Sequence, residues 1–175
     1  MRAFRRRFSF LVAGGLLSVA PTALAAEPTK TQLALDLDFV HPVSEPSVDA
    51  GGGGALRLGQ QLDLVALSLT GEFGFGYHSF GGTADPREYT AFAGGRIAIG
   101  KFLEPGAFLH VAASRLVNDF AGSWAPEMDF GLFLDLTVFP LLDLGVHGTY
   151  VHRFATSDTS TFRYMIIGPH VALLF

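Results

Sequence analysis

The sequence contains no cysteine, which excludes a disulfide framework and catalysis by a thiolate. Charged residues are also scarce, at 16% of the 175 residues, whereas an average soluble domain has about 25%. Beyond the first 26 residues no apolar run is long enough for a membrane-spanning helix. Yet 49% of the residues are hydrophobic. Apolar composition without long apolar runs is typical of strands that present one face to lipid and the other to a polar interior.

The first 25 residues have the pattern of a cleaved secretory signal peptide. Residues 2–7 include four arginines, residues 8–20 are apolar, and residues 23–25 read Ala-Leu-Ala, a small-x-small cleavage site. A membrane anchor is the alternative interpretation, but Pro21 and two neighbouring glycines interrupt the apolar segment. We therefore expect residues 1–25 to be removed on export.

Removal of this segment makes the chain more acidic. The segment carries four arginines and no acidic residue, so the formal net charge changes from −4 to −8. An acidic balance disfavours nucleic acid as a partner. We expect residues 26–175 to form one domain.

Eight segments in this domain alternate apolar and polar residues, which predicts strands rather than helices. The segments are Gln32–Val40, Gly54–Gln60, Leu64–His78, Tyr89–Gly100, Ala107–Leu116, Met128–Phe139, Leu142–His152 and Phe162–Phe175. The predicted connections alternate between long (41–53, 79–88, 117–127 and 155–161) and short, as in outer-membrane barrels. The predicted fold is all-β, an eight-stranded antiparallel up-and-down transmembrane β-barrel.

Alternation alone does not reveal which face points outward, because a soluble lipocalin-like barrel turns its apolar face inward. Here the apolar faces are nearly free of charge, and aromatic residues gather near both ends of the segments, as at two membrane interfaces. Those residues are Phe39, Tyr77, Tyr89, Phe130 and Tyr150 at one end and Phe102, Phe139 and Phe175 at the other. This distribution favours a barrel whose apolar face contacts lipid.

The polar faces then form a predicted network in the lumen, with charges of both signs that can pair. Its members are Asp36, Asp38, Arg57, Glu72, Arg96, His110, Asp135, His147 and His170. Eight strands leave an interior about wide enough for side chains to fill, which favours a polar plug over a narrow ion path.

Catalytic and metal sites have weaker support. His110 and Ser114 share a face but lie about 13 Å apart along the strand. His78 and Ser79 face opposite ways, and His147 with Thr149 faces the lumen rather than lipid. His110, His147 and His170 could bind zinc only if they converged from separate strands. We therefore predict no catalysis, no metal and no cofactor.

The last segment ends in alternating Val171, Leu173 and Phe175, which resembles the C-terminal signature of bacterial outer-membrane barrels. The whole domain resembles the small OmpA/OmpX-type barrels in strand count and connection pattern. The resemblance implies recognition by the outer-membrane assembly machinery and residence in outer-membrane lipid. Pro169 interrupts this segment, and since proline cannot donate to a ladder we expect a bulge or kink there.

These patterns predict an integral outer-membrane barrel with a structural or surface-interaction role. Phe120 and Trp124, in the predicted third outer loop, are the expected surface contacts. Three alternatives stay open at this stage, namely a narrow channel for small solutes, a lipid-modifying enzyme and a soluble lipocalin-like carrier.

Overall fold

A computed structural model describes residues 29–83, 85–118, 121–157 and 160–175. Eight antiparallel strands follow one another around a closed barrel, and the last pairs with the first. The strands are β1 Lys30–Pro42, β2 Val48–Leu64, β3 Leu67–Gly82, β4 Arg87–Ile99, β5 Leu103–Asn118, β6 Ala121–Phe139, β7 Leu142–Arg153 and β8 Phe162–Leu174. The predicted fold is confirmed.

Two sequence predictions lie outside the described residues: the signal peptide at 1–25 and the surface contact Phe120. Within the described ranges, no helix is long and apolar enough to cross a membrane.

The barrel has two distinct ends. The inner end holds the start of β1, the end of β8 and the short connections 65–66, 100–102 and 140–141. The outer end holds the connections 43–47, 83–86, 119–120 and 154–161. Three of these outer connections are shorter than predicted, because the strands continue through residues that the sequence pattern assigns to loops.

The glycine run 51–54 illustrates why those loops are predicted too long. Gly52 pairs with Phe39 on β1 and with Ser79 on β3, so the run is part of β2. A side chain on Gly53 would collide with the backbone and ring of His78. The glycines therefore allow close approach of neighbouring strands, where the sequence suggested a flexible loop.

Trp124 is likewise part of a strand and not of a loop. It lies in β6 opposite Arg115 of β5, and its side chain is exposed on the outward face near the outer end. The prediction of a loop position is wrong because β5 and β6 pair as far as Asn118 and Ala121.

The outward face of the barrel is apolar between two sets of aromatic side chains. Near the outer end, Tyr77 contacts Tyr89 and Phe130 contacts Tyr150, with ring centroids 5.2 and 5.4 Å apart. At the inner end the exposed aromatic residues are Phe102, Phe139 and Phe175. Such paired girdles mark the two interfaces of a membrane barrel.

The bulge expected at Pro169 is absent. β7 and β8 stay in one register through Pro169, which faces Val146. On the other side the register of β1 with β8 is the same before and after Pro169, and only the pairing at Leu37 and Asp38 is interrupted. The missing N–H is therefore accommodated as a local gap in one ladder.

Inward-facing glycines make room for large inward side chains on adjacent strands. Gly74 lies under the ring of Phe92, and Gly131 lies under the ring of Phe108. A Cβ at Gly131 would also meet the carbonyl oxygen of Gly148. This alternation of small and large residues lets rings lie flat against the wall of a narrow barrel.

We expect Gly131→Ala to lower the free energy of unfolding by about 1–3 kcal/mol, since the added methyl group overpacks a site that Phe108 already fills. Gly148→Ala is the matched control, because a Cβ there would meet nothing within 4 Å. Urea unfolding in lipid vesicles measures both variants. Equal losses for the two would contradict the proposed packing of Phe108 on Gly131.

We expect Leu132→Arg to cost about 2–4 kcal/mol, the usual effect of an arginine at the middle of the lipid-facing belt. Leu132 is 70% exposed on the outward face. Phe139→Arg, at the inner interface, is the control and should cost about 0–1 kcal/mol. Urea unfolding in vesicles gives both values, and a tolerated arginine at position 132 would argue against a lipid-facing belt.

Candidate functional site in the barrel interior

A salt-bridge cluster centred on Arg57 occupies the middle of the barrel. Arg57 Nε and one terminal nitrogen donate to the two carboxylate oxygens of Asp36, at 2.7 and 2.8 Å. Its other terminal nitrogen donates to Glu72 at 2.8 Å. All three side chains are nearly inaccessible to solvent. The two-pronged contact with Asp36 fixes the guanidinium plane as well as neutralising charge.

His110 extends this cluster from β5 to β6. Its Nε2 lies 2.8 Å from Glu72, and its Nδ1 lies 2.7 Å from Asp129. The ring also stacks on Phe108 with the centroids 5.0 Å apart. Glu72 therefore joins the arginine on one side to the histidine on the other.

Two further groups of contacts complete the network. Asp38 on β1 lies 2.9 Å from His78 and 3.1 Å from His147. Asp135 on β6 lies 3.1 Å from Arg96 and 2.7 Å from His170.

The Arg96 guanidinium also lies over the ring of Phe133, 3.8 Å from its centroid. A cation at this distance from a ring face is attracted by the ring quadrupole, so Phe133 is a second partner for Arg96.

The structure thus places all nine predicted network residues on inward faces, in contact with other members. Eight of them line a cavity of about 60 Å³ in the barrel, and Asp135 lines a smaller one beside Arg96. Sequence reasoning omitted His78 and Asp129, although both share the strand phase of predicted members. Strand phase was therefore the signal that could have found them.

A second buried polar cluster lies toward the outer end, and the sequence analysis missed it. Arg153 is fully buried, and it donates from Nε to Ser114 Oγ at 3.2 Å and from a terminal nitrogen to the carbonyl of Ser123 at 2.9 Å. Glu88 and Glu127 are buried in the same part of the barrel. The sequence pattern assigns both glutamates to loops, and only the observed strand length places them inside.

An apolar group lies beside these polar residues near the outer end of the barrel interior. The Phe80 ring contacts Phe162 and Tyr164, with centroids 5.3 and 5.2 Å away, and all three are buried. The remaining members are Val40, Val48, Val151 and Ile166. At the inner end the barrel instead opens into a cavity of about 280 Å³ whose lining includes Lys30, Asp63, Lys101 and Glu104.

Within the described part of the chain, the histidines considered in the sequence analysis contact carboxylates and not the serine or threonine hydroxyl groups paired with them there. Both ring nitrogens of His110 contact carboxylates, and Ser114 accepts a hydrogen bond from Arg153. His78 and His147 share the carboxylate of Asp38. The histidines are thus engaged with acidic side chains rather than with hydroxyl groups.

The three histidines considered for zinc do not converge as a set. His110 is held apart by Glu72 and Asp129, whereas His147 and His170 have ring centroids 5.6 Å apart. With Asp36 these two form a group whose possible ligand atoms all lie within 4.8 Å of one another. Among the described residues, this is where a metal ion could be held.

No protein-family model and no curated protein sequence matches the chain. Solved structures do. Neisserial surface protein A superimposes with a TM-score of 0.61 at 12% identity, covering 87% of this chain and all of that one. The chain has the fold of the small outer-membrane β-barrels.

Two further structures share this fold. The attachment invasion locus protein Ail of Yersinia pestis gives a TM-score of 0.53 at 9% identity, over 85% of this chain and 100% of Ail. A major outer membrane protein from Thermus thermophilus gives 0.54 at 11% identity, with coverage of 85% and 100%. At these identities the likeness concerns architecture. It confirms the resemblance to small eight-stranded outer-membrane barrels.

We expect Arg57→Met to lower the free energy of unfolding by about 3–5 kcal/mol, because it leaves Asp36 and Glu72 buried without their shared cation. Lys30→Met is the control, since the Lys30–Asp63 pair is partly exposed and such pairs contribute about 0–1 kcal/mol. Urea unfolding in vesicles compares the two. Similar small losses would show that the buried cluster is not a structural core.

Proposed function

We propose that the chain is an integral protein of the bacterial outer membrane with a structural or surface-interaction role and no catalysis. Export by the signal peptide and recognition of the last strand by the assembly machinery, through Val171, Leu173 and Phe175, belong to this proposal. Outer-membrane lipid is the partner of the apolar outward face.

The observation that carries the proposal is the filled interior. Arg57, Arg96 and four histidines lie against the inward carboxylates, and the aromatic group around Phe80 packs inside the barrel near the outer end. The cavity that remains among these side chains is about 60 Å³, room for a few water molecules. A barrel filled in this way supports a rigid membrane anchor.

The alternatives fit this interior less well. A solute channel would need a continuous open passage, and a lipocalin-like carrier would need an apolar cavity, where this barrel has ion pairs. A lipid-modifying enzyme needs its nucleophile where lipid can reach it, but Ser114 is fully buried and faces inward.

The outer end offers the surface for interaction with a partner. Trp124, Val43 and Phe154 are exposed there, at 58%, 57% and 40%. The connection 154–161 is the longest between strands. Exposed apolar side chains at a barrel rim are suited to bind an apolar patch on another envelope component.

Two measurements on the chain isolated from cell envelopes test the proposal. We expect it in the outer-membrane fraction, with a gel mobility that changes on boiling as for folded barrels. In planar bilayers we expect no discrete conductance steps, with a general porin as the positive control.

Regular steps in single-channel conductance would contradict the structural role and support the channel alternative. Recovery in the soluble periplasmic fraction would instead overturn the membrane assignment. Lipid A mass spectra that differ between strains with and without the gene would refute the absence of catalysis.

A further inference from the structure

Three potential metal ligands meet in the middle of the barrel from adjacent strands. Asp36 pairs with His170 across the β1–β8 ladder, and His147 lies one strand further on β7. Their possible ligand atoms are within 4.8 Å of one another. Glycines lie opposite both histidines, and a side chain on Gly145 would collide with the ring of His170.

An acidic side chain lies close to Nε2 of each ring. His147 Nε2 lies 3.1 Å from Asp38, and His170 Nε2 lies 2.7 Å from Asp135. These two contacts do not use the Nδ1 atom of either ring. A carboxylate on one nitrogen and a metal on the other is the usual arrangement at metal-binding histidines, because the carboxylate fixes the tautomer and the ring orientation.

His170 provides an independent sign of a missing partner. Its side chain has no exposed surface, and neither ring nitrogen has a hydrogen-bond partner among the described residues, although Nε2 lies 2.7 Å from Asp135. Buried polar atoms are satisfied in most native structures, so an orphaned ring nitrogen beside other potential ligands is a candidate position for a bound metal.

The charge around this point also favours a cation. The central network contains five carboxylates but only two arginines, so with neutral histidines it has three uncompensated negative charges. The carboxylates are those of Asp36, Asp38, Glu72, Asp129 and Asp135, and the arginines are Arg57 and Arg96. A divalent ion would offset two of these charges, whereas protonation of the histidines would do the same without a metal.

We propose that Asp36, His147 and His170 bind one divalent transition-metal ion of the zinc type. Two imidazoles and one carboxylate form a donor set suited to zinc, and three protein ligands leave a fourth position for water. All three residues line the 60 Å³ cavity, which can hold that water.

The site needs only small side-chain movements to close on an ion. Tetrahedral zinc with bonds of about 2.0–2.1 Å separates its donors by roughly 3.3 Å, so atoms within 4.8 Å must approach by about an ångström or slightly more. Asp36 can keep Arg57 while it binds, because a carboxylate offers about four lone pairs.

Bound metal would link β1, β7 and β8 beside the ladder that closes the barrel. Any ligand that binds only the folded state stabilises that state. We therefore expect zinc to raise the urea concentration at which the barrel unfolds, and EDTA to reverse the effect.

The test uses the full chain purified from membranes in detergent and stripped with EDTA. Titration with ZnCl₂ by calorimetry should give one ion per barrel, and Co²⁺ should give the visible bands of a low-coordinate nitrogen–oxygen site. His147→Gln and His170→Gln should each weaken binding at least tenfold. Asp135→Asn, which changes the carboxylate beside His170 and Arg96 but none of the three ligands, should weaken it about 10–100-fold.

Two histidines outside the ligand set serve as matched controls. His41→Gln changes an exposed histidine near the outer end, and His110→Gln changes a lumen histidine held by Glu72 and Asp129. Both variants should bind zinc like the unchanged chain. Boil-dependent gel mobility confirms that each variant has folded.

If the unchanged chain does not bind zinc or cobalt stoichiometrically, the proposal is overturned. Protonated histidines would then balance the charge of the carboxylates. Loss of zinc binding in His41→Gln, with zinc binding retained in His170→Gln, would also overturn the proposal, because the ion would then be bound at the surface. If the glutamine variants do not fold, histidine NMR of the unchanged chain decides. Two imidazoles shifted by zinc would support the site, and none would refute it.

Discussion

Every other feature of this structure depends on the closure of the β-ladder between the first and last strands. In lipid an unpaired strand edge would leave backbone N–H and C=O groups without partners, so a membrane sheet must close on itself. Thr31 and Phe175 exchange two backbone hydrogen bonds of 2.7 and 3.0 Å at the inner end. Val43 donates to Arg163 at 2.9 Å at the outer end. The seam is thus bonded at both ends of the barrel.

Closure with only eight strands makes the interior narrow, and this decides what the inward residues can be. A long side chain fits only where its neighbour is small, as Phe92 does over Gly74 and as His78 does opposite Gly53. Inward polar groups meet one another instead of bulk water, which favours pairing between them. The pairing of Arg57 with both Asp36 and Glu72 follows from this restriction.

Much of this could be predicted from the sequence because strand phase fixes the face of each side chain. The alternation identified the outward belt, and it assigned Asp36, Glu72 and His170 to the polar face. The contacts themselves could not be predicted, since they depend on register between strands that are distant in sequence. Strand phase alone would equally allow His110 to contact His147. The observed register instead places His110 beside Glu72 and Asp129.

The outer third of the barrel was harder to predict, for a different physical reason. Glycine and proline are turn formers in most contexts, so the run 51–54 and Pro126 suggested loops. In the structure Gly52 lies between two strands, and Pro126 pairs with Ala113 within the β5–β6 ladder. Because the strands are longer than the alternation suggested, Glu88, Glu127 and Arg153 are interior residues instead of loop residues.

The polar interior has a consequence for how such a chain reaches its membrane. If the inward-facing residues of β6 were apolar like its outward-facing ones, its 19 residues would form one continuous apolar segment. About 20 apolar residues are enough for a membrane-spanning helix, so an exported chain of that kind would be retained in the first membrane it crosses. Asp129 and Asp135 interrupt this segment on its inward face, where the folded barrel pairs them with His110 and Arg96. On the proposed export route, these charges keep the unfolded β6 segment from resembling a helical span, and they meet His110 and Arg96 only after the barrel closes.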